Sequence, residues 1–260
     1  MTVRAPAVAG LFYEDDPARL RQHVVALLDQ VAGDPGPAPR ALIVPHAGYV
    51  YSGQTAARAY ARLRPLRERI RRVALFGPAH RVYLEGMAIP STDAFSTPLG
   101  DIPLDRMALQ RIASLPGVTV SDEAHREEHS LEVQLPFLQQ LLADFTLVPV
   151  VVGRCDPDAV AVVMDALWQE PDTLLLVSTD LSHFHPYQEA RQLDSRTCER
   201  LLARKSALTG EEACGAQALN GLMSTERGKS LDMELISICN SGDTAGDRNR
   251  VVGYGAFALH

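Results

Sequence analysis

Ala41-Leu-Ile-Val-Pro-His-Ala-Gly-Tyr-Val-Tyr-Ser-Gly53 opens as a wholly apolar strand, turns through a proline and a histidine, and leads into an alanine-rich helix predicted from about Thr55 to Leu63. A run that is apolar at every residue marks a strand covered on both faces, the habit of a parallel sheet lying between helices. Val73-Ala-Leu-Phe76 followed by Gly77-Pro-Ala-His80, and Leu174-Leu-Leu-Val177 followed by Ser178-Thr-Asp-Leu-Ser-His183, repeat the arrangement. In an open α/β sheet the strand carboxyl ends share one rim, where ligand crevices open. His46, His80 and His183 are therefore expected to meet in one cleft, as a metal or proton-transfer site.

Outward from these units the alternation continues. Asp16-Pro17 opens a helical pattern through Leu20, Val24, Leu27, Leu28 and Val31, with Gly33 as its stop and Asp34-Pro-Gly-Pro-Ala-Pro39 as a rigid connector. Strands are predicted over 41–45, 72–76, 146–152, 173–178 and 250–259. Helices are predicted over 105–114, 130–143, 157–168, 187–203, 210–223 and 230–239. Pro136 inside the 130–143 pattern implies a kink or a late start. The stretch 81–104, broken by Pro90, Pro98, Gly100 and Pro103, is long enough to fold over the site. The pattern predicts one domain over 1–260, an α/β fold in three α/β/α layers around a mostly parallel or mixed sheet.

Hydrophobic residues make up 46% of the chain and charged ones 22%, enough apolar material for a substantial core. A net charge of -7 with no basic run argues against nucleic acid or an anionic membrane as partner. No stretch approaches the ~18 apolar residues of a membrane span, and the first residues do not read as a leader, so a cytoplasmic location is expected. Cys155, Cys198, Cys214 and Cys239 show no paired spacing, which speaks against a disulfide framework or a four-thiolate zinc site.

Chemistry-bearing side chains concentrate in a few segments. Tyr49 and Tyr51 follow His46 and could supply hydroxyl donors to a pocket. Glu127-Glu-His-Ser-Leu-Glu132 holds three carboxylates and an imidazole in six residues; His129 and Glu132 read either as pocket groups or as part of a solvated helix start favoured by the helix dipole. Asp180 and His183 follow a wholly apolar strand, and an imidazole with a carboxylate in reach suits a general base. Cys239 and Asp243 offer a thiol and a carboxylate near the C-terminus, where either could complete a metal site.

Arg4-Ala-Pro-Ala-Val-Ala-Gly-Leu-Phe-Tyr13, Pro45-His-Ala-Gly-Tyr-Val-Tyr-Ser-Gly53, Gly77-Pro-Ala-His80, Glu128-His-Ser-Leu-Glu-Val-Gln-Leu-Pro-Phe137, Ser178-Thr-Asp-Leu-Ser-His183 and Asn240-Ser-Gly-Asp243 together resemble the Memo family. The resemblance implies a fold shared with class III extradiol dioxygenases, non-haem iron enzymes with two histidine ligands and a carboxylate. It implies His46 and His80 as ligands, His183 in the acid/base role, and a further ligand near the C-terminus that is a cysteine in animal members. Here Thr244 aligns with that cysteine, so Asp243, or failing it Cys239, is expected to replace it.

Two functions of different classes follow. One is a metal-dependent oxidoreductase, with Fe(II), or alternatively Cu or Zn, on His46, His80 and Asp243 and a small molecule in the cleft. The other is a non-catalytic module whose cleft holds a peptide or partner protein. The resemblance also implies a radical-SAM partner protein in a modification system. A hydrolase using Asp180 and His183 is weaker, because no Gly-x-Ser-x-Gly elbow is present.

Overall fold

The computed structural model describes residues 1–31, 36–205 and 207–260. The expected helix stop at Gly33 and the first two residues of the 34–39 connector lie outside them. In order the chain forms β1 (Val3–Arg4), α1 (Pro17–Asp29), β2 (Ala41–Val44), α2 (Tyr49–Tyr60), β3 (Arg72–Pro78), β4 (Met87–Ile89), β5 (Ala94–Thr97), β6 (Gly100–Pro103), α3 (Arg106–Ile112), β7 (Val118–Val120) and α4 (Asp122–Arg126). It continues through α5 (Leu135–Leu141), β8 (Thr146–Val152), α6 (Pro157–Leu167), β9 (Thr173–Ser178), β10 (His183–His185), α7 (Tyr187–Leu202), α8 (Ala216–Ser224), α9 (Glu226–Ser230), β11 (Met233–Asn240) and β12 (Val251–Leu259).

The main sheet is mixed, in the order β10-β12-β2-β9-β3-β8-β4-β7, with β11 also paired to β12. Its centre, β2-β9-β3-β8, is parallel, while β12 runs antiparallel to β2 and β4 antiparallel to β8. Every residue of β2 and β9 is buried, as the apolar runs require for strands covered on both faces. Helix α2 packs against β2, β11 and β12, and α8 packs against β3 with α6 behind it, giving the three-layer α/β/α sandwich. The carboxyl ends of β2, β3 and β9 lie side by side, and His46, His80 and Asp180 follow them by two residues each.

Local chemistry explains most boundaries. Helix α1 starts where Asp16 accepts the Arg19 N–H at 2.8 Å, with Pro17 in its first turn and Leu20, Val24, Leu27 and Leu28 on the buried face. Helix α2 starts at Tyr49, earlier than predicted, because the Tyr49 N–H donates to the Phe12 carbonyl at 2.8 Å and straps residues 8–13 over the His46 turn. Pro136 gives the late start: a short 3₁₀ turn over Glu132–Gln134 precedes α5.

Two expectations fail. The segment 233–240 is a strand, not a helix over 230–239; it pairs with β12 from Met233↔Leu259 to Asn240↔Gly253. A short apolar run carries no decisive period, and the pairing demand of β12 settles it. The stretch 81–104 does not cover the site: it supplies β4 to the main sheet and β5 and β6 to a separate three-stranded sheet with β1. Helix α8 also begins later than its predicted start at 210, leaving residues 208–215 as a loop that carries Cys214 to the rim.

Candidate metal centre

His46 stands between the proline that follows β2 and the glycine that precedes α2, with its backbone N–H on Asp180 Oδ1 at 2.8 Å and its side chain buried. The tautomer follows from its neighbours. Ser178 Oγ donates its one proton to the Ser130 carbonyl (2.6 Å) and accepts from Gln134 Nε2 (2.9 Å), so the 2.8 Å contact to His46 Nδ1 requires a proton on Nδ1. His46 Nε2 therefore carries a free lone pair. Gln134 is fixed in turn, donating to the Pro45 carbonyl and accepting from the Tyr60 hydroxyl.

His80 is held the same way by a different group. Glu128, with its side chain 1% exposed, accepts the His80 backbone N–H at 2.6 Å, His80 Nδ1 at 2.9 Å and the Ser130 N–H at 2.8 Å. Burial pushes this carboxyl up, but the hydrogen bonds from His80 and Ser130, with the charge His80 carries when protonated, outweigh it and hold it at about 2. An ionised carboxylate only accepts, so His80 Nδ1 bears its proton and Nε2 has the lone pair. A carboxylate behind an imidazole is the usual support of a metal-binding histidine.

His129 is the third member. Its ring stacks on His80 with centroids 4.6 Å apart and touches Phe12 on the other side at 4.9 Å. Its buried Nδ1 has no hydrogen-bond partner. Burial, then the neighbouring His46, lower its pKa to about 4, and burial with the nearby His80 lowers that of His46. One ligand atom from each of His46, His80 and His129 lies within 4.8 Å of the others. Imidazoles whose Nδ1 atoms are held from behind by Ser178 and Glu128, beside an orphaned buried nitrogen, fit a divalent cation.

In front of this group opens a cleft of about 560 Å³. His129, Asp180 and His183 line it, with Phe12, Tyr51 and Tyr254 as aromatic walls and Arg250 as a cationic lining residue. Burial pushes the Asp180 carboxyl up, opposed by the His46 N–H and the nearby His183. His183 lies on β10, on the cleft wall, outside the three-nitrogen group.

Other predicted residues lie elsewhere. Asp243 is not grouped with His46 and His80: its two oxygens accept the Tyr187 hydroxyl (2.5 Å) and the Asn240 N–H (3.0 Å), completing a capping box in the turn after β11. Cys239 is on β11, 3.0 Å from the Thr55 hydroxyl. Tyr49 belongs to the core, its hydroxyl spent on the Val133 carbonyl at 2.8 Å. Glu132 is wholly buried and binds Arg4, the Tyr13 hydroxyl and the Ala7 and Val8 N–H groups, so it anchors the N-terminal segment and does not face the cleft. Tyr51 does line the cleft.

Sequence reasoning missed Glu128 as the partner of His80, although it read the cluster that contains it. It also missed Cys214, whose Sγ is 3.3 Å from His46 Nε2; nothing in the local pattern singles out that thiol. Burial pushes it up to about 12, and its S–H has both His46 Nε2 at 3.3 Å and the Asp180 carbonyl at 3.7 Å within reach.

Sheet order and histidine placement define an α/β sandwich with a polydentate imidazole pocket at the carboxyl rim of its parallel strands. The chain matches the family described as Memo-like protein over residues 4–258. MEMO1 family proteins of Aquifex aeolicus and Archaeoglobus fulgidus are each 35% identical to it, over 98% and 99% of both chains. The chain belongs to the Memo family. Its fold is similar to the crystal structure of the uncharacterized protein JW3007 from Escherichia coli K12, with a TM-score of 0.55 at 15% identity over 83% of this chain and 98% of that one. Among the described residues no helix is long and apolar enough to cross a membrane.

Proposed function

We propose that this protein is a metal-dependent oxidoreductase of small molecules, with His46, His80 and His129 holding a divalent first-row metal, Fe(II) first among the candidates. The observation that carries the reading is the pair of tautomers: Ser178 and Glu128 fix the Nδ1 protons of His46 and His80, leaving both Nε2 lone pairs for a cation. His129 takes the place expected of Asp243, whose oxygens are already engaged. A bound ion would supply Lewis acidity and, as Fe(II), an electron donor.

The remaining roles belong to the chain. Phe12, Tyr51 and Tyr254 form the aromatic walls that orient a substrate and displace water, and Arg250 supplies a positive charge. His183, beside Asp180, takes or returns a proton at the substrate. The test is elemental analysis of protein purified without oxygen: near-stoichiometric metal, lost in His46→Ala and His80→Ala variants that still melt cooperatively, supports the reading. Unchanged or absent metal in the native protein refutes it.

A second reading has its own observation. Leu11 (79% exposed), Val50 (62%) and Phe184 (59%) gather apolar surface about the same cleft, Phe184 beneath Arg250. Such a rim suits a peptide or a protein, including the radical-SAM partner the family resemblance suggests. Binding that survives complete metal removal would favour this module over the enzyme.

A further inference from the structure

We infer that a small neutral amide binds in a second cavity, bounded by the N-terminal segment and α4, where His125 and Thr92 receive it. The cavity measures about 250 Å³ and is lined by residues 3–7 on one side and by Asp122, His125, Arg126 and Glu127 on the other, with Pro90 and Thr92 beside them. Two of these residues carry buried polar atoms that have no hydrogen-bond partner, His125 Nδ1 and Thr92 Oγ1. The His125 side chain belongs to a residue only 1% exposed. Its Nε2 lies 3.0 Å from the Ala88 carbonyl, which can only accept, so Nε2 bears the proton and Nδ1 is a bare acceptor. Burial lowers the pKa of this imidazole to about 4, so the ring is neutral and Nδ1 keeps its lone pair at pH 7. Nδ1 is therefore the one ring nitrogen left for a ligand, and buried acceptors are seldom left unpaired.

The walls select the ligand. A single ordered water would leave most of the space empty, since a water takes ~30 Å³. The side chains of Val3, Ala5, Pro6, Ala7 and Pro90 offer a water cluster no partners. Charge around the cavity is balanced, because Arg4 and Arg126 line it and so do Asp122 and Glu127. Arg4 is already committed to Glu132 and to the His125 and Glu128 carbonyls, and Asp122 to the Ser91 N–H and hydroxyl. An anion would meet Asp122, Glu127 and the Nδ1 lone pair, and a cation would meet Arg4 and Arg126. An uncharged group that donates and accepts side by side suits both orphaned atoms: an amide N–H donates to His125 Nδ1 while its carbonyl accepts from the Thr92 hydroxyl. A short branched aliphatic body then lies against the proline and alanine side chains. Arg4 also bonds the Glu128 carbonyl, so this cavity adjoins the support of His80 without sharing a group with the metal-binding nitrogens.

The experiment titrates the full-length protein, its histidines labelled with nitrogen-15, with isobutyramide at pH 7 and follows the ring nitrogens by long-range proton–nitrogen correlation NMR. The His125 Nδ1 resonance, which reports acceptance of a hydrogen bond, should move saturably, with a Kd of roughly 1–10 mM for so small a ligand. Isobutyrate and isobutylamine, similar in size but charged, should leave it unmoved at the same concentrations. Thr92→Val should weaken isobutyramide binding about tenfold, since the variant cannot donate to the amide carbonyl. The comparison of the three probes on the wild-type protein decides the matter even if that variant fails to fold. No saturable movement with isobutyramide, an equal movement with isobutyrate or isobutylamine, or an unchanged Kd in folded Thr92→Val overturns the assignment.

Discussion

Glu128→Gln tests the mechanism by which the site is built. The native carboxylate accepts three N–H bonds from His80 and Ser130 in a pocket that excludes water. A carboxyl held at about 2 rather than 4.5 sets an upper bound of about 3 kcal/mol on its native-state stabilisation at neutral pH, because part of the shift is the charge of a protonated His80. The folded pKa is depressed, so this contribution is present above pH 4.5 and is lost as pH falls from there through about 2. Glutamine keeps the shape but can accept on one oxygen only, and it turns an NH₂ group toward one of the donors. We expect Glu128→Gln to lose about 2–3 kcal/mol at pH 7 in denaturant titrations with chelator present, the deficit shrinking steadily below pH 4. Metal affinity should fall by about 10–100-fold, because His80 loses its charged support. A variant as stable as wild type at pH 7, or a deficit that does not change between pH 7 and pH 3, would refute the reasoning.

Three other outcomes separate the site from the scaffold. His129→Ala should weaken divalent-metal binding by more than about tenfold in calorimetry while leaving the melting transition cooperative, whereas Asp243→Ala should leave affinity within about twofold. Glu132→Ala should cost about 3–5 kcal/mol, since it strands Arg4 as a buried unpaired charge; wild-type stability would show that the N-terminal segment is not held this way. Asp194, buried where Gly253 passes over it, has its carboxyl pushed up by burial to about 6. Its folded pKa is raised, so it stabilises fully below 3.8 and the contribution is lost as pH rises through 6; Asp194→Asn should be more stable than wild type at pH 8 and lose that advantage by pH 4.

The parallel centre of the sheet was legible because its strands are buried on both faces and so are apolar without interruption, as in Leu174–Val177. The rim was legible for the same reason, since a histidine two residues beyond such a strand has nowhere else to be. Strand β11 was not, because its run of Leu235, Ile236 and Ile238 suits either period and only the edge of β12 decides. Cys214 was invisible for a stronger reason: its contact with His46 spans 168 residues and depends on Gly215 packing against Thr179, a coincidence of backbone surfaces that no local pattern encodes.

The six residues 127–132 show why a charge cluster misleads. Read as a solvated helix start they should be exposed, yet Glu128 and Glu132 are both buried and point to different jobs. Glu132 closes on Arg4 and Tyr13 and so fixes the segment that carries Phe12 against His129. Glu128 closes on His80, and its backbone carbonyl accepts from the same Arg4 guanidinium. Arg4 is thus shared between the strap that walls the cleft and the turn that presents His129. A perturbation of the N-terminal strap must therefore reach the imidazole group through Arg4, with no contact of its own to a metal-binding nitrogen required.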